Sequence, residues 1–213
     1  MYDIVLFDLD GTLTESAPGI TNSVAYALDH YNIKVEDKSK LNVFVGPPLI
    51  DSFMKYYNFS KEQAEEAVLV YREYFSTKGL FENAVYEGIP ELLKKIKDSG
   101  RKLVVATSKP DVFSKRILEH FNLLKYFDFV AGATMDEKRT HKDEVIAYVL
   151  ENLKESDYSK IVMVGDREND VSGSAKFGID CIGVLYGYGS YDELKEAGAK
   201  YIANSPSEIF DFI

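Results

Sequence analysis

Ile4-Val5-Leu6-Phe7-Asp8-Leu9-Asp10-Gly11-Thr12-Leu13-Thr14-Glu15-Ser16 is the stretch around which the chain is organised. Its four leading apolar residues read as a strand buried on both faces. The strand ends on two carboxylates at i and i+2, so Asp8 and Asp10 share a face, about 6–7 Å apart at Cα. Gly11 then lets the backbone turn away and lets a ligand approach its amide. Two buried acids side by side are costly unless a cation or a proton relieves them. A solvated Asp- and Gly-rich turn is the plain alternative, and the rest of the chain has to decide.

The 213 residues suffice for one large domain or two small ones. With 35 acidic against 25 basic side chains the net charge is −10. That argues against a nucleic acid polymer or an anionic membrane surface as partner, while leaving room for a local cationic pocket. The one cysteine, Cys181, lies in an apolar run and reads as a buried structural thiol of a reducing compartment. No leader-like segment opens the sequence and no apolar run approaches eighteen residues, so a cytoplasmic protein without a membrane span is expected.

After the opening strand the hydrophobic period turns helical. Ile20, Val24, Ala27, Leu28 and Tyr31 fall at helical spacing. A second helical stretch, 41–57, is interrupted by Gly46-Pro47-Pro48. Ser60 with Gln63 three residues on forms a capping box for a helix over 61–76. About sixty residues of helix without a strand indicate an inserted all-α unit. Beyond it, strands and helices alternate, as in a parallel sheet. A helix over 89–99 precedes a strand over 102–106; Thr107-Ser108-Lys109-Pro110 follows, with Pro110 suited to the first turn of a helix running to about Phe121. The stretch 127–131 alternates like a strand nearer an edge. A helix over 140–153 has Thr140 as N-cap and Asp143 at its third position. Strands over 161–164 and 181–185 follow, then a short last helix capped at Ser205-Pro206-Ser207-Glu208.

In open α/β sheets ligands sit beyond the carboxyl ends of the strands. Three of the buried strands end there in polar groups: Asp8 with Asp10, Thr107 with Ser108, and Asp166, which Asp170 follows four residues later. Lys142 lies in a first helical turn, where free amides already favour an anion. Clustered carboxylate oxygens suit Mg²⁺, and the lysine and hydroxyls suit a phosphate.

Phe7-Asp8-Leu9-Asp10-Gly11-Thr12, the strand-ending Thr107, Lys142, and Gly165-Asp166 with Asp170 resemble the four motifs of the haloacid dehalogenase superfamily. The helical insertion after the first motif resembles one of its cap types, and the layout is most similar to the phosphoglycolate phosphatase and nucleotidase-type members. The resemblance implies a three-layer, Rossmann-like α/β domain with a parallel sheet from residues 1–15 and 83–213, and an inserted all-α cap over 16–82. It implies a Mg²⁺-dependent phosphatase acting on a small phosphorylated metabolite, of the phosphoglycolate, nucleoside monophosphate or sugar phosphate type, through an aspartyl-phosphate. Asp8 would be the nucleophile and Asp10 the general acid and base. Mg²⁺ would be held by the Asp8 carboxylate, the Asp10 carbonyl and Asp166. Thr107 and Lys142 would hold the phosphoryl oxygens, Ser108 would add a hydroxyl or amide, and Asp170 would orient Lys142 or metal-bound water.

Each position has a simpler reading. Lys142 alone would be a surface lysine, Thr107 and Ser108 would cap the next helix, and Asp170 would cap the helix after Asp166. Lys109, His141 and the tyrosines around Tyr188 read as bystanders or packing. Gly46-Pro47-Pro48 is either a helix break or a loop over the substrate. Two other functions share parts of the pattern: a phosphosugar mutase, which returns the phosphoryl group to its substrate, and a non-catalytic phospholigand binder, which would have no use for Asp10.

Overall fold

The computed structural model describes residues 1–136 and 138–213, which divide into two compact units, Met1–Thr14 with Val85–Ile213, and Glu15–Ala84. In the first unit β1 (Ile4–Phe7) is buried over its whole length. It is flanked by two parallel strands, pairing Phe7 with Val105 on one side and with Val164 on the other. Continuous apolar runs such as Ile4-Val5-Leu6-Phe7 are what a two-sided buried strand requires.

In chain order, β2 (Thr14–Glu15), α1 (Ala17–His30), α2 (Leu49–Tyr57), α3 (Lys61–Phe75) and β3 (Ala84–Val85) follow β1. Then come α4 (Ile89–Asp98), β4 (Lys102–Pro110), α5 (Asp111–His120), β5 (Phe129–Ala133) and α6 (Lys142–Leu153). The chain continues with β6 (Ile161–Gly165), α7 (Glu168–Ala175), β7 (Asp180–Val184), α8 (Tyr191–Glu196), β8 (Tyr201–Ala203) and α9 (Pro206–Ile209). The main sheet has six parallel strands in the order β5-β4-β1-β6-β7-β8, and β2 pairs with β3 separately.

Alternate residues of the central strands point to opposite faces. Ile4, Leu6, Val104, Ala106, Ile161 and Met163 join Val145, Ile146 and Val149 of α6 and Val171 of α7 in one core. Their neighbours Val5, Phe7, Leu103 and Val105 are buried as completely, Phe7 with its ring edge-on to Phe127. A sheet covered on both faces makes a three-layer α/β domain, the expected fold class.

The unit 15–84 is helical. Ile20, Val24, Ala27 and Leu28 form the buried stripe of α1, and the Ser60–Gln63 capping box opens α3 with both reciprocal bonds made. An aromatic group of Phe44, Phe53 and Phe59 packs within it.

Several local expectations are corrected. The stretch 41–57 is helical and interrupted at Gly46-Pro47-Pro48 as expected, but its first part is a 3-10 helix (Lys38–Phe44) that begins earlier, and its second is α2. β4 runs past its expected end at Ala106 to include residues 107–110, with a register shift against β5 between Ala106 and Pro110. Pro110 is the N-cap of α5, which takes no side-chain cap, so Thr107 and Ser108 do not cap it. The N-cap of α6 is His141, not Thr140, because Glu144 Oε2 accepts from both the Thr140 and His141 amides, at 2.8 and 3.0 Å. The edge strand β5 runs two residues later than its sequence pattern indicated.

Candidate active site

The sheet's carboxyl rim gathers acidic and basic side chains that water scarcely reaches. Asp8, Asp10, Thr107, Lys109, Lys142, Asp166 and Asp170 are all buried. β1 ends at Phe7, and the chain turns at Gly11 with φ +85°, a conformation that favours glycine. Asp8 remains tied to the sheet, its amide donating to the Val164 carbonyl at 2.9 Å.

Lys142 is the first residue of α6, and its ammonium lies 2.8 Å from Asp8 Oδ1 and 2.8 Å from Asp170 Oδ1. It also donates to the Ala106 carbonyl at 3.0 Å. Burial pushes Lys142 toward its neutral form, but the charges of Asp170 and Asp8 outweigh it and hold the ammonium above its ordinary range. The expected phosphate-binding lysine is thus a fixed cation beside the expected nucleophile.

Asp166 is held from two sides. Thr12 Oγ1 donates to its Oδ1 at 3.2 Å and the Tyr188 amide to its Oδ2 at 2.8 Å. Burial first, then the charges of Asp170 and Asp8, push its carboxyl well above the usual range. Asp170 occupies the third position of α7, and its two oxygens face different partners. Its Oδ2 accepts from the Arg167 amide at 3.1 Å, capping the helix, while Oδ1 faces Lys142. Burial raises it to about 6 against the opposing pull of Lys142.

Asp8, Asp166 and Asp170 bring one carboxylate oxygen each within 4.8 Å of one another. Asp10 is not in this group: its Oδ2 lies 3.0 Å from Lys109 Nζ. Asp8 Oδ1, Asp10 Oδ1 and Asp170 Oδ1 are buried without a hydrogen bond. Two of them, on Asp8 and Asp170, lie 2.8 Å from the Lys142 ammonium as ion pairs. Asp8, Asp166 and Asp170 crowd three carboxyl groups together, and a divalent cation would relieve their repulsion. Hard, buried, under-satisfied oxygens in this number fit a small divalent ion.

Thr107 turns its hydroxyl to its own strand, accepting from the Lys109 amide at 3.2 Å. Ser108 is half-buried beside it. Lys109, read from sequence as a bystander, is buried and paired with Asp10. Its signal was the alternation carried past Ala106, which puts Thr107 and Lys109 on one side of the extended chain. Thr12 and the Tyr188 amide were also missed as supports of Asp166. The Tyr188 donor is a backbone amide, which carries no residue-type signature, and the Thr12 hydroxyl reaches Asp166 from a position 154 residues away in sequence.

With this geometry in place, comparison with known proteins gives a consistent answer. The chain matches the haloacid dehalogenase-like hydrolase family over residues 5–184. It is 46% identical to a 5'-nucleotidase of Pseudomonas aeruginosa, over 91% of this chain and 87% of that protein. It is 38% identical to the tyrosine-protein kinase PtkA of Mycobacterium tuberculosis, over 95% of this chain and 68% of that one. The crystal structure of a predicted phosphatase from Clostridium acetobutylicum superposes with a TM-score of 0.97 at 56% identity, covering 100% of this chain and 98% of that one. Asp8 and Asp10 just after the first strand, Lys142 on a later helix and the Asp166–Asp170 turn thus stand inside the matched span. The chain belongs to the haloacid dehalogenase-like hydrolases and is an enzyme of the phosphoric monoester hydrolase kind.

Proposed function

We propose that this enzyme is a Mg²⁺-dependent phosphatase that hydrolyses small phosphomonoesters through an aspartyl-phosphate on Asp8. The observation that carries the reading is the separate pairing of the two rim acids, Asp8 with Lys142 and Asp10 with Lys109. One carboxylate lies beside the Lys142 ammonium, which would also meet the phosphate, and is suited to attack phosphorus. The other is held apart from it and is suited to move protons.

In the first half-reaction an Asp8 oxygen attacks phosphorus, while Asp10 gives its proton to the departing oxygen. In the second, Asp10 takes a proton from water as that water attacks the acyl phosphate and frees Asp8. Lys142 neutralises phosphoryl oxygens in both, assisted by Thr107 and Ser108. A divalent ion bound at Asp8 and Asp166, with the Asp10 carbonyl and with Asp170 in support, would supply positive charge against the phosphate. In this reading the helical segment is the cap, and the cytoplasm is the compartment, in keeping with the single buried thiol, Cys181.

The 46% relative makes nucleoside 5'-monophosphates the first substrates to try, with phosphoglycolate and sugar phosphates beside them. A second reading has one support, the 38% relative named as a kinase: the phosphoryl group would pass to an acceptor hydroxyl instead of water. The same nucleophile serves both. The test is a panel of phosphomonoesters with Mg²⁺, read for free phosphate and for phosphorylated acceptor, using wild type and Asp8→Asn. The proposal expects free phosphate from wild type alone. Residual release in Asp8→Asn within about tenfold of wild type would overturn it, since losing a nucleophile costs far more.

A further inference from the structure

We propose that Lys109 is a positioning residue for proton transfer: it holds Asp10 so that one carboxylate oxygen faces the leaving group. The inference rests on the acid–base role given to Asp10 above.

Three observations place Lys109 there. Its ammonium is 3.0 Å from Asp10 Oδ2, and both side chains are only 6% exposed. Asp10 Oδ1, on the same carboxylate, is buried and makes no hydrogen bond. One oxygen is therefore tied down and its twin left open. The backbone of Lys109 is also set by its surroundings: Thr107 Oγ1 accepts its amide, and the neighbouring strand gives way to it at Gly132. A Cβ on Gly132 would stand 2.4 Å from the Lys109 carbonyl oxygen and 2.6 Å from the Asp111 amide, so no side chain fits there.

A buried lysine is seldom placed without a partner that needs it. Lys142 already faces Asp8 and Asp170, so Lys109 is the cation of Asp10. Without it, the carboxylate would be free to rotate toward any cation held by Asp8 and Asp166, and Oδ1 would leave the leaving group's line. In the step itself the bond from phosphorus to the ester oxygen breaks and its electron pair stays on that oxygen. The proton comes from Asp10, and Lys109 keeps its own protons while holding the carboxylate that remains.

Leaving-group dependence tests this. A strongly basic alkoxide needs the proton, whereas an electron-poor phenolate departs without it. The quantity to compare is kcat/KM, which covers the steps through phosphorylation of Asp8 and excludes later hydrolysis. It is measured over aryl phosphates of graded leaving-group basicity and one alkyl phosphate. Lys109→Met should lower it on the order of 10²-fold for the alkyl ester and within about threefold for the least basic phenol, because general acid help is what has been lost. Lys109→Arg should restore most of the loss. In an Asp10→Asn background, Lys109→Met should add no further dependence on the leaving group, the signature of two residues acting through one step. Lys109→Gln, which keeps a donor without the charge, carries the same expectation of a steeper dependence if Lys109→Met does not fold.

A drop of equal size across the whole series would overturn the proposal and mark Lys109 as a phosphate or folding residue. Equal effects of Lys109→Met with and without Asp10 would also overturn it. Turnover that survives in Asp8→Asn is a separate result: it would sink the phosphatase reading above, whatever Lys109 does.

Discussion

Gly11 and Asp166 are packed so closely that a Cβ on Gly11 would lie 2.2 Å from Asp166 Oδ2. The tight turn after β1 and the acid at the end of β6 are thus one construction. Thr12, the next residue, donates to the other oxygen of the same carboxylate. Gly11→Ala should therefore act twice. The positive φ at this position costs an L-residue about 1–2 kcal/mol, readable as a fall in stability by urea titration. The added methyl should also displace Asp166 and weaken Mg²⁺ affinity. A variant that loses stability but binds Mg²⁺ as well as wild type would separate the turn from the metal site.

Magnesium should raise the melting temperature, because it relieves the repulsion among Asp8, Asp166 and Asp170. A ligand that binds only the folded state adds about 2.7 kcal/mol at a hundredfold excess over Kd. Asp166→Asn should lose most of that gain, and an unchanged gain would mean the ion binds elsewhere. The pH dependence has a definite sign. In the metal-free fold Asp170 is raised to about 6 and Asp166 is raised as well, so the fold holds protons there that the unfolded chain releases. The contribution of Asp170 to metal-free stability is present at low pH and lost as pH rises through about 6, and that of Asp166 is likewise present at low pH and lost as pH rises. Metal must displace those protons, so the Mg²⁺-induced shift should be larger at about pH 8 than at about pH 5. Differential scanning measurements with and without the ion check both points.

Lys142 neutralises two buried acids at once, so its removal should be felt in stability as well as turnover. Lys142→Met leaves Asp8 and Asp170 buried without their cation, which costs about 3–5 kcal/mol where no proton compensates. Protonation of one acid will recover part of this, so the loss should shrink on acidification. Chemical denaturation at two pH values gives the comparison. A loss independent of pH would show that Lys142 stabilises through packing alone.

Much of this was legible in the chain because a parallel sheet buries its strands on both faces. Ile4-Val5-Leu6-Phe7 and Ile161-Val162-Met163-Val164 are unbroken apolar runs, and the acids stand out at their ends. The pairing of Lys109 with Asp10 was hidden because the apolar run stops at Ala106 and Pro110 reads as a helix start, so the strand was expected to end there. The extended chain continues because β5 accepts it beside Gly132, a tertiary effect that single-strand patterns do not carry. Thr140 is a better N-cap by residue type than His141, yet Glu144 reaches back to both amides and the helix starts one residue later. β8 has three residues, too short for its alternation to register. The dual role of Asp170 could not be resolved from spacing, since a helix cap and a lysine partner ask for the same acid.

The central claim is that Asp8 carries the phosphoryl group, and rapid acid quench of a reacting enzyme followed by peptide mapping tests it most directly. Asp10→Asn is the variant to quench, because the second half-reaction then lacks its base and the adduct should accumulate when an activated aryl phosphate is the donor. The expected result is a hydroxylamine-sensitive phosphoryl group on the peptide bearing Asp8, absent when Asp8 is replaced. Turnover with no phosphorylated peptide, or a phosphoryl group on any other residue, would contradict the account.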